Sequence, residues 1–108
     1  MKRVLFLCSR NRLRSPTAEQ VFANHPGLEV ASAGLAPDAD TPMTAELADW
    51  AQIIFVMEKA HRTRLTRRFG AHLRHARVVC LDIPDDYGFM DAELVRLLEA
   101  RVPGRLGL

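Results

Sequence analysis

A cysteine and an arginine, two residues that can handle a phosphate group, lie close together near the start of the chain. They bound the segment Cys8-Ser9-Arg10-Asn11-Arg12-Leu13-Arg14, which follows an apolar run and precedes Ser15-Pro16, a pair typical of a helix start. A loop between a strand and a helix directs backbone N–H groups and the helix N-terminus at one point. Such a loop would bind an oxyanion such as phosphate beside a thiolate. The alternative interpretation is that Cys8 is a small buried apolar residue at a strand end.

The elements that must position this segment alternate along the chain. Apolar runs predict strands at 4–7, 28–33, 53–57 and 77–81. Capping signals predict helices at 16–24, 44–50, 59–69 and 92–101, with Ser15 as the N-cap of the first and a frayed tail after the last. The alternation predicts an α/β fold, a three-layer, doubly wound, four-stranded parallel sheet, in a single domain over residues 1–108. The loops at 8–15 and 82–90 should then meet at the carboxyl edge of the sheet, where ligands bind.

Composition narrows the class of protein. The chain is 48% hydrophobic and 26% charged, which fits a globular domain rather than a disordered segment. No apolar run approaches the ~18 residues of a membrane span, so we expect no membrane association. The apolar run after Met1-Lys2-Arg3 is too short for a signal peptide, and two cysteines without such a signal favour free thiols and the cytoplasm. The four histidines show no metal-binding spacing, and we expect neither metal nor cofactor.

Charge is distributed unevenly although the net charge is only +2. No acidic residue precedes Glu19, and none lies between Lys59 and Leu81, whereas both stretches are rich in arginine. This asymmetry favours an anionic ligand. The Lys59–Arg77 segment has two interpretations, a solvated helix face or a surface that contacts RNA or another polyanion.

Taken together, several ordered motifs resemble the low-molecular-weight protein tyrosine phosphatase family over nearly the whole chain. The first motif is Cys8 and Asn11 followed by Arg14-Ser15-Pro16, where a strand leads into the first helix. Ser32-Ala33-Gly34 is similar to the segment after the family's second strand, and 51–61 is similar to its third strand and the following helix start. Pro84-Asp85-Asp86-Tyr87-Gly88 is an imperfect match to the family's acid loop.

The resemblance implies a phosphomonoesterase that acts through a phosphocysteine intermediate on a phosphorylated substrate such as protein phosphotyrosine. Cys8 would be the nucleophile and Asp85 the general acid, with Asp86 and then Asp82 as alternatives. Arg14 would grip the phosphate together with the loop around it. The implied phosphate-binding residues are Ser9, Arg10, Asn11, Arg12, Leu13, Arg14 and Ser15. Asn11 and Ser32 would brace the loop, Asp86 would crowd the acid, and Tyr87 would be the aromatic residue beside it.

The chain also departs from the family's pattern. Arg10 stands where the family has glycine, Leu13 replaces a frequent second cysteine, and Asp86 replaces a proline. The segment between Gly34 and Thr44 is shorter than usual, which predicts a shallower pocket that is open to larger substrates. Arg10 and Arg12 would face outward and contact a second anionic group. The alternative functions are a phospho-ligand or RNA-binding module with little turnover, and a phosphatase for nucleic-acid ends or phosphoarginine.

Overall fold

Four parallel strands form the centre of the computed structural model, which describes residues 1–106. The strands are β1 (Lys2–Cys8), β2 (Leu28–Gly34), β3 (Ile53–Val56) and β4 (Arg77–Cys80). Their order in the sheet is β2-β1-β3-β4, so β1 and β3 are central and β2 and β4 are edges. β1 is buried from Val4 to Cys8, as a central strand covered on both faces must be.

Helices cover both faces of this sheet. They are α1 (Arg14–Phe22), α2 (Ala45–Trp50), α3 (Lys59–Phe69), α4 (Ala92–Arg101) and α5 (Pro103–Leu106), with a 3₁₀ turn over Gly70–His72. Phe6 faces the α1 and α4 side, where its ring stacks with those of Phe22 and Phe55 at centroid distances of 5.8 and 5.4 Å. Leu5 and its neighbours on the same strand face pack on the other side against α2 and α3. The predicted three-layer α/β fold with a four-stranded parallel sheet is confirmed.

Two predictions from the sequence, the start of α1 and the tail after α4, differ from the structure. α1 begins at Arg14 rather than after Ser15, and its N-cap, Leu13, makes no side-chain capping hydrogen bond. The predicted frayed tail is wrong for 103–106, because Pro103 starts a short helix that buries Leu106 in the core beside α4. The rest of the predicted tail, 107–108, lies outside the described residues.

Candidate active site

β1 delivers Cys8 to the carboxyl edge of the sheet, at the base of a cavity of about 330 Å³. The loop 9–13 connects Cys8 to the first turn of α1. The cavity is lined by Cys8, Ser9, Arg10, Arg12, Leu13, Arg14 and Asp85. The structure thus brings the cysteine, the arginine and one predicted acid to a single cavity, at the edge where parallel sheets bind ligands.

Two polar groups contact the Cys8 sulfur. The backbone N–H of Asn11 donates to Sγ at 3.3 Å, and the Ser15 hydroxyl lies 2.9 Å from Sγ. Asn11 can direct its N–H inward because its backbone is left-handed, with φ of 57°, a conformation that asparagine tolerates. The Ser15 hydroxyl also donates to Asn11 Oδ1 at 2.8 Å. The Ser15 hydroxyl therefore contacts Asn11 and the Cys8 sulfur instead of capping α1.

Other N–H groups of the loop remain free for a ligand. Those of Ser9, Arg10 and Arg12 have no hydrogen-bond acceptor within residues 1–106. Within the described part of the chain they are, together with the N-terminus of α1, unpaired donors in the segment that lines the cavity. Such a group of donors binds anions.

Arg14 is almost completely buried, with 4% of its side chain exposed, and is held by two groups that lie outside the loop. Its Nη1 donates to Glu58 Oε2 at 2.7 Å and to the Ile83 carbonyl at 2.8 Å. Its Nε lies 3.7 Å from Asp85 Oδ1, too far for a hydrogen bond. Within the described residues, Nε and Nη2 are thus the donors left for an oxyanion.

Glu58 and His61 form a polar pair behind Arg14. Glu58 directly precedes α3, and its N–H donates to His61 Nδ1 at 3.2 Å. The hydrogen bond from Arg14 holds the pKa of Glu58 below its ordinary value. Burial and the nearby Arg14 charge lower the pKa of His61 to about 4, so the buried imidazole is neutral at pH 7. No motif in the sequence assigned a role to His61 or to Glu58. The position of Glu58 after a central strand was the available signal.

The segment after β2 supports the loop from outside. Ala36 N–H donates to the Ser9 carbonyl at 2.7 Å, and Asp40 N–H donates to the Arg10 carbonyl at 3.1 Å. This close approach requires glycine at position 34, because a Cβ there would lie 2.6 Å from the Ser9 oxygen. The short segment between Gly34 and Thr44 therefore packs directly against the loop 9–13.

The same segment orients the two additional arginines of the loop. Arg12 Nε donates to Asp40 Oδ1 at 3.2 Å, and Arg10 Nη1 lies 3.8 Å from Asp38 Oδ2. All four side chains are about half exposed or more. Because such pairs are weak, they orient the guanidinium groups without removing their charge from the mouth of the cavity.

Comparison with solved structures identifies this arrangement of strands, loop and helices. The arginine phosphatase YwlE from Geobacillus stearothermophilus superposes with a TM-score of 0.79 at 24% identity, covering 99% of this chain and 94% of that one. The chain has the fold of the low-molecular-weight protein tyrosine phosphatases. Wzb from Vibrio vulnificus, in complex with benzylphosphonate, has a TM-score of 0.78 at 25% identity, covering 99% of both chains. The low-molecular-weight tyrosine phosphatase SP-PTP from Streptococcus pyogenes has a TM-score of 0.79 at 17% identity, covering 99% of this chain and 92% of that one. No protein-family model and no curated protein sequence matches the chain.

In this low-molecular-weight phosphatase fold, the loop after β4 carries the candidate acids. Asp85 lines the cavity with 66% of its side chain exposed, whereas Asp86 is exposed and does not line it. Asp82 lies outside the cavity as well, and its Oδ1 accepts a hydrogen bond from the Cys80 thiol at 3.4 Å. Tyr87 is half-buried against the core on the α1 and α4 side. The geometry therefore separates Asp85 from the other acidic residues of this loop.

Ser32 has a different partner from the one that the resemblance implied. Its hydroxyl donates to Glu19 and so links β2 to α1, and within residues 1–106 it makes no hydrogen bond to the loop. The contact near the loop comes from the next residue, because the Ala33 carbonyl lies 3.3 Å from the Ser15 hydroxyl.

Within residues 1–106, no group of three or more histidine, cysteine or acidic side chains is arranged to hold a metal ion. No helix in the same part of the chain has the length and apolar character needed to cross a membrane.

Proposed function

We propose that the protein is a cysteine-dependent phosphatase that hydrolyses phosphate esters through a phosphocysteine intermediate. One observation carries this proposal: the Cys8 sulfur, free loop N–H groups and the Arg14 guanidinium converge on one cavity. The similar structures support it, since YwlE, Wzb and SP-PTP are all phosphatases or bind a phosphonate.

In the first step the Cys8 thiolate attacks phosphorus, the S–P bond forms, and the bond from phosphorus to the ester oxygen breaks. Arg14 grips two phosphoryl oxygens through Nε and Nη2, while the free N–H groups stabilise the charge that develops. The Ser15 hydroxyl can rotate from Asn11 Oδ1 to donate a hydrogen bond to the sulfur. The α1 N-terminus attracts the phosphate anion to the same cavity.

Asp85 is the general acid in this proposal. It protonates the departing oxygen, and in the second step it accepts a proton from the water that breaks the S–P bond. Its position at the cavity, 3.7 Å from Arg14 Nε, favours it over Asp86. We expect Asp85→Asn to lower kcat by roughly 10²-fold or more on phenyl phosphate. The matched variant Asp86→Asn should leave kcat nearly unchanged, and equal losses in both variants would contradict the assignment.

We propose phosphotyrosine next to acidic residues as the substrate class. Arg10 and Arg12 stand at its mouth, where they attract a second anionic group on the substrate. Phosphoarginine carries a guanidinium group beside its phosphoryl group, and these two arginines disfavour that cation. Arg12→Ala should therefore reduce the preference for a phosphotyrosine peptide over a phosphoarginine peptide that is identical at every other position. An unchanged ratio of kcat/KM would refute this role of Arg12.

The experiment that tests the function is hydrolysis of an aryl phosphate in the presence of a chelator. We expect turnover by the wild type and by Cys80→Ser, the control at the other cysteine, and none by Cys8→Ser. Turnover that survives Cys8→Ser would overturn the mechanism. If the wild type binds benzylphosphonate without turning over any phosphate ester, the protein is a phospho-ligand binding module instead.

A further inference from the structure

A second basic site lies along the exposed edge of β4, away from Cys8. It is a groove of about 540 Å³, called here the β4 groove, between β4, the first turn of α3 and α5. Four of its lining residues are cations, namely Lys59, Arg62, Arg77 and Arg105. Asp82 is the single carboxylate among the lining residues that the structure describes.

The cations of the β4 groove are oriented but not neutralised. Arg62 Nη2 donates to the Val78 carbonyl at 2.9 Å, and Arg77 Nη2 donates to the Arg105 carbonyl at 2.7 Å. Both acceptors are uncharged backbone groups. No carboxylate within residues 1–106 forms an ion pair with any of the four cations. The groove therefore presents fixed positive charge, which attracts an anionic ligand.

A depression that shares residues with the β4 groove reaches groups that contact the candidate active site. Lys59 and Asp82 also line this shallow depression, which runs along Glu58, Ile83 and Pro84. Glu58 and the Ile83 carbonyl are the groups that hold Arg14. Asp85, which lines the catalytic cavity, directly follows this depression in sequence. A chain whose phosphate occupies the cavity can therefore extend along the surface into the β4 groove.

An acidic polypeptide fits the groove better than a nucleic acid does. Single-stranded nucleic acids are bound through bases stacked on aromatic side chains, and no aromatic residue lines the groove within the described part of the chain. Carboxylates need only oriented guanidinium and ammonium groups, which the groove supplies. We propose that the β4 groove docks an acidic segment of the phosphoprotein substrate, an inference that rests on the proposed phosphatase function.

The test compares two phosphotyrosine peptides that differ only in an acidic segment, glutamate in one and glutamine in the other. The enzymes are the wild type, the double variant Arg62→Gln with Arg77→Gln, and Arg67→Gln as a control on the exposed part of α3. We expect the wild type to favour the acidic peptide through a lower KM. The double variant should lose about five- to tenfold in kcat/KM on that peptide at low salt. The rate of the double variant on a small aryl phosphate should equal that of the wild type. The Arg67→Gln variant should match the wild type on both peptides.

Three outcomes would overturn the docking site. They are equal rates of the wild type on both peptides, a parallel loss on the small aryl phosphate, and a weakened affinity for a single-stranded RNA with unchanged peptide kinetics. Fluorescence anisotropy with the unphosphorylated acidic peptide separates this proposal from the catalytic one. The wild type should bind that peptide more tightly than the double variant does, even if no phosphate ester is hydrolysed.

Discussion

The buried His61 predicts a specific loss of stability as the pH falls. The pKa of this imidazole is about 4 in the folded protein, against an ordinary value of 6.5, because burial and the Arg14 charge oppose protonation. Glu58 and Asp85 favour the protonated form, and Arg64 opposes it, but burial and Arg14 dominate. The unfolded chain therefore binds more protons than the folded one between these two pH values. The free energy of unfolding must decrease as the pH falls through this window.

The size of this effect follows from the two pKa values. Integrating the proton uptake from pH 7 to about pH 4.5 gives a loss of about 2 kcal/mol from His61 alone. That is a substantial part of the ~5–15 kcal/mol expected for a folded domain. Stopping at about pH 4.5 leaves out most of the titration of Glu58, whose pKa is lowered by its hydrogen bond with Arg14 and whose protonation destabilises the fold only at lower pH.

Urea unfolding of the wild type and His61→Gln, followed across this range of pH, measures the effect. Glutamine can still accept a hydrogen bond from the Glu58 N–H but does not titrate. The His61→Gln substitution should lower the free energy of unfolding at pH 7, because the imidazole it replaces is buried. It should also make that free energy depend less on pH. The difference in unfolding free energy between the two proteins should shrink by about 2 kcal/mol between pH 7 and pH 4.5. Parallel profiles would refute the idea that a neutral, buried His61 underlies the pH dependence.

Three further changes test the support of the loop. Gly34→Ala should cost about 1–3 kcal/mol of stability in urea unfolding and weaken phosphate affinity, because its Cβ would lie 2.6 Å from both the Ser9 oxygen and the Ala39 Cβ. The control Gly88→Ala meets no atom within 4 Å and should do neither. Asn11→Ala should reduce kcat/KM on an aryl phosphate more than Asn11→Gly does, because glycine accepts the left-handed backbone whereas alanine loses both conformation and acceptor. Thr17→Val removes the acceptor of the Met90 N–H and should increase hydrogen exchange in the loop after β4, and unchanged exchange would contradict this link.

The sequence predicts the sheet well because each strand and helix carries a local signal. α3 has the predicted bounds, Lys59–Phe69, and each strand ends within about two residues of its predicted position. The start of α1 was misplaced because Ser15-Pro16 has the composition of a cap, while the hydroxyl is used by Asn11 and the Cys8 sulfur. Local propensity cannot anticipate a tertiary partner that competes for the same side chain.

The chemistry at the loop was predictable for a similar reason, whereas its supports were not. Cys8 and Arg14 belong to one short segment, and strand order places that segment at the ligand-binding edge. Glu58, by contrast, lies 44 positions from Arg14. Its position after a central strand places it at the ligand-binding edge of the sheet but does not indicate Arg14 as its partner. Asp38 and Asp40 likewise appear in the sequence only as part of a loop rich in proline and aspartate. Their role depends on where the folded chain brings that loop.

The three arginines around the cavity differ in how firmly they are held, and this difference suggests a division of labour. Arg14 is buried and donates at 2.7 and 2.8 Å to two partners, so its guanidinium has a fixed direction before substrate arrives. Arg12 has an exposed partner at 3.2 Å, and Arg10 has one at 3.8 Å, which solvent screens strongly. A rigid inner arginine suits the phosphoryl group, which is the same in every substrate. Looser outer arginines suit flanking anionic groups whose positions vary from one substrate to another.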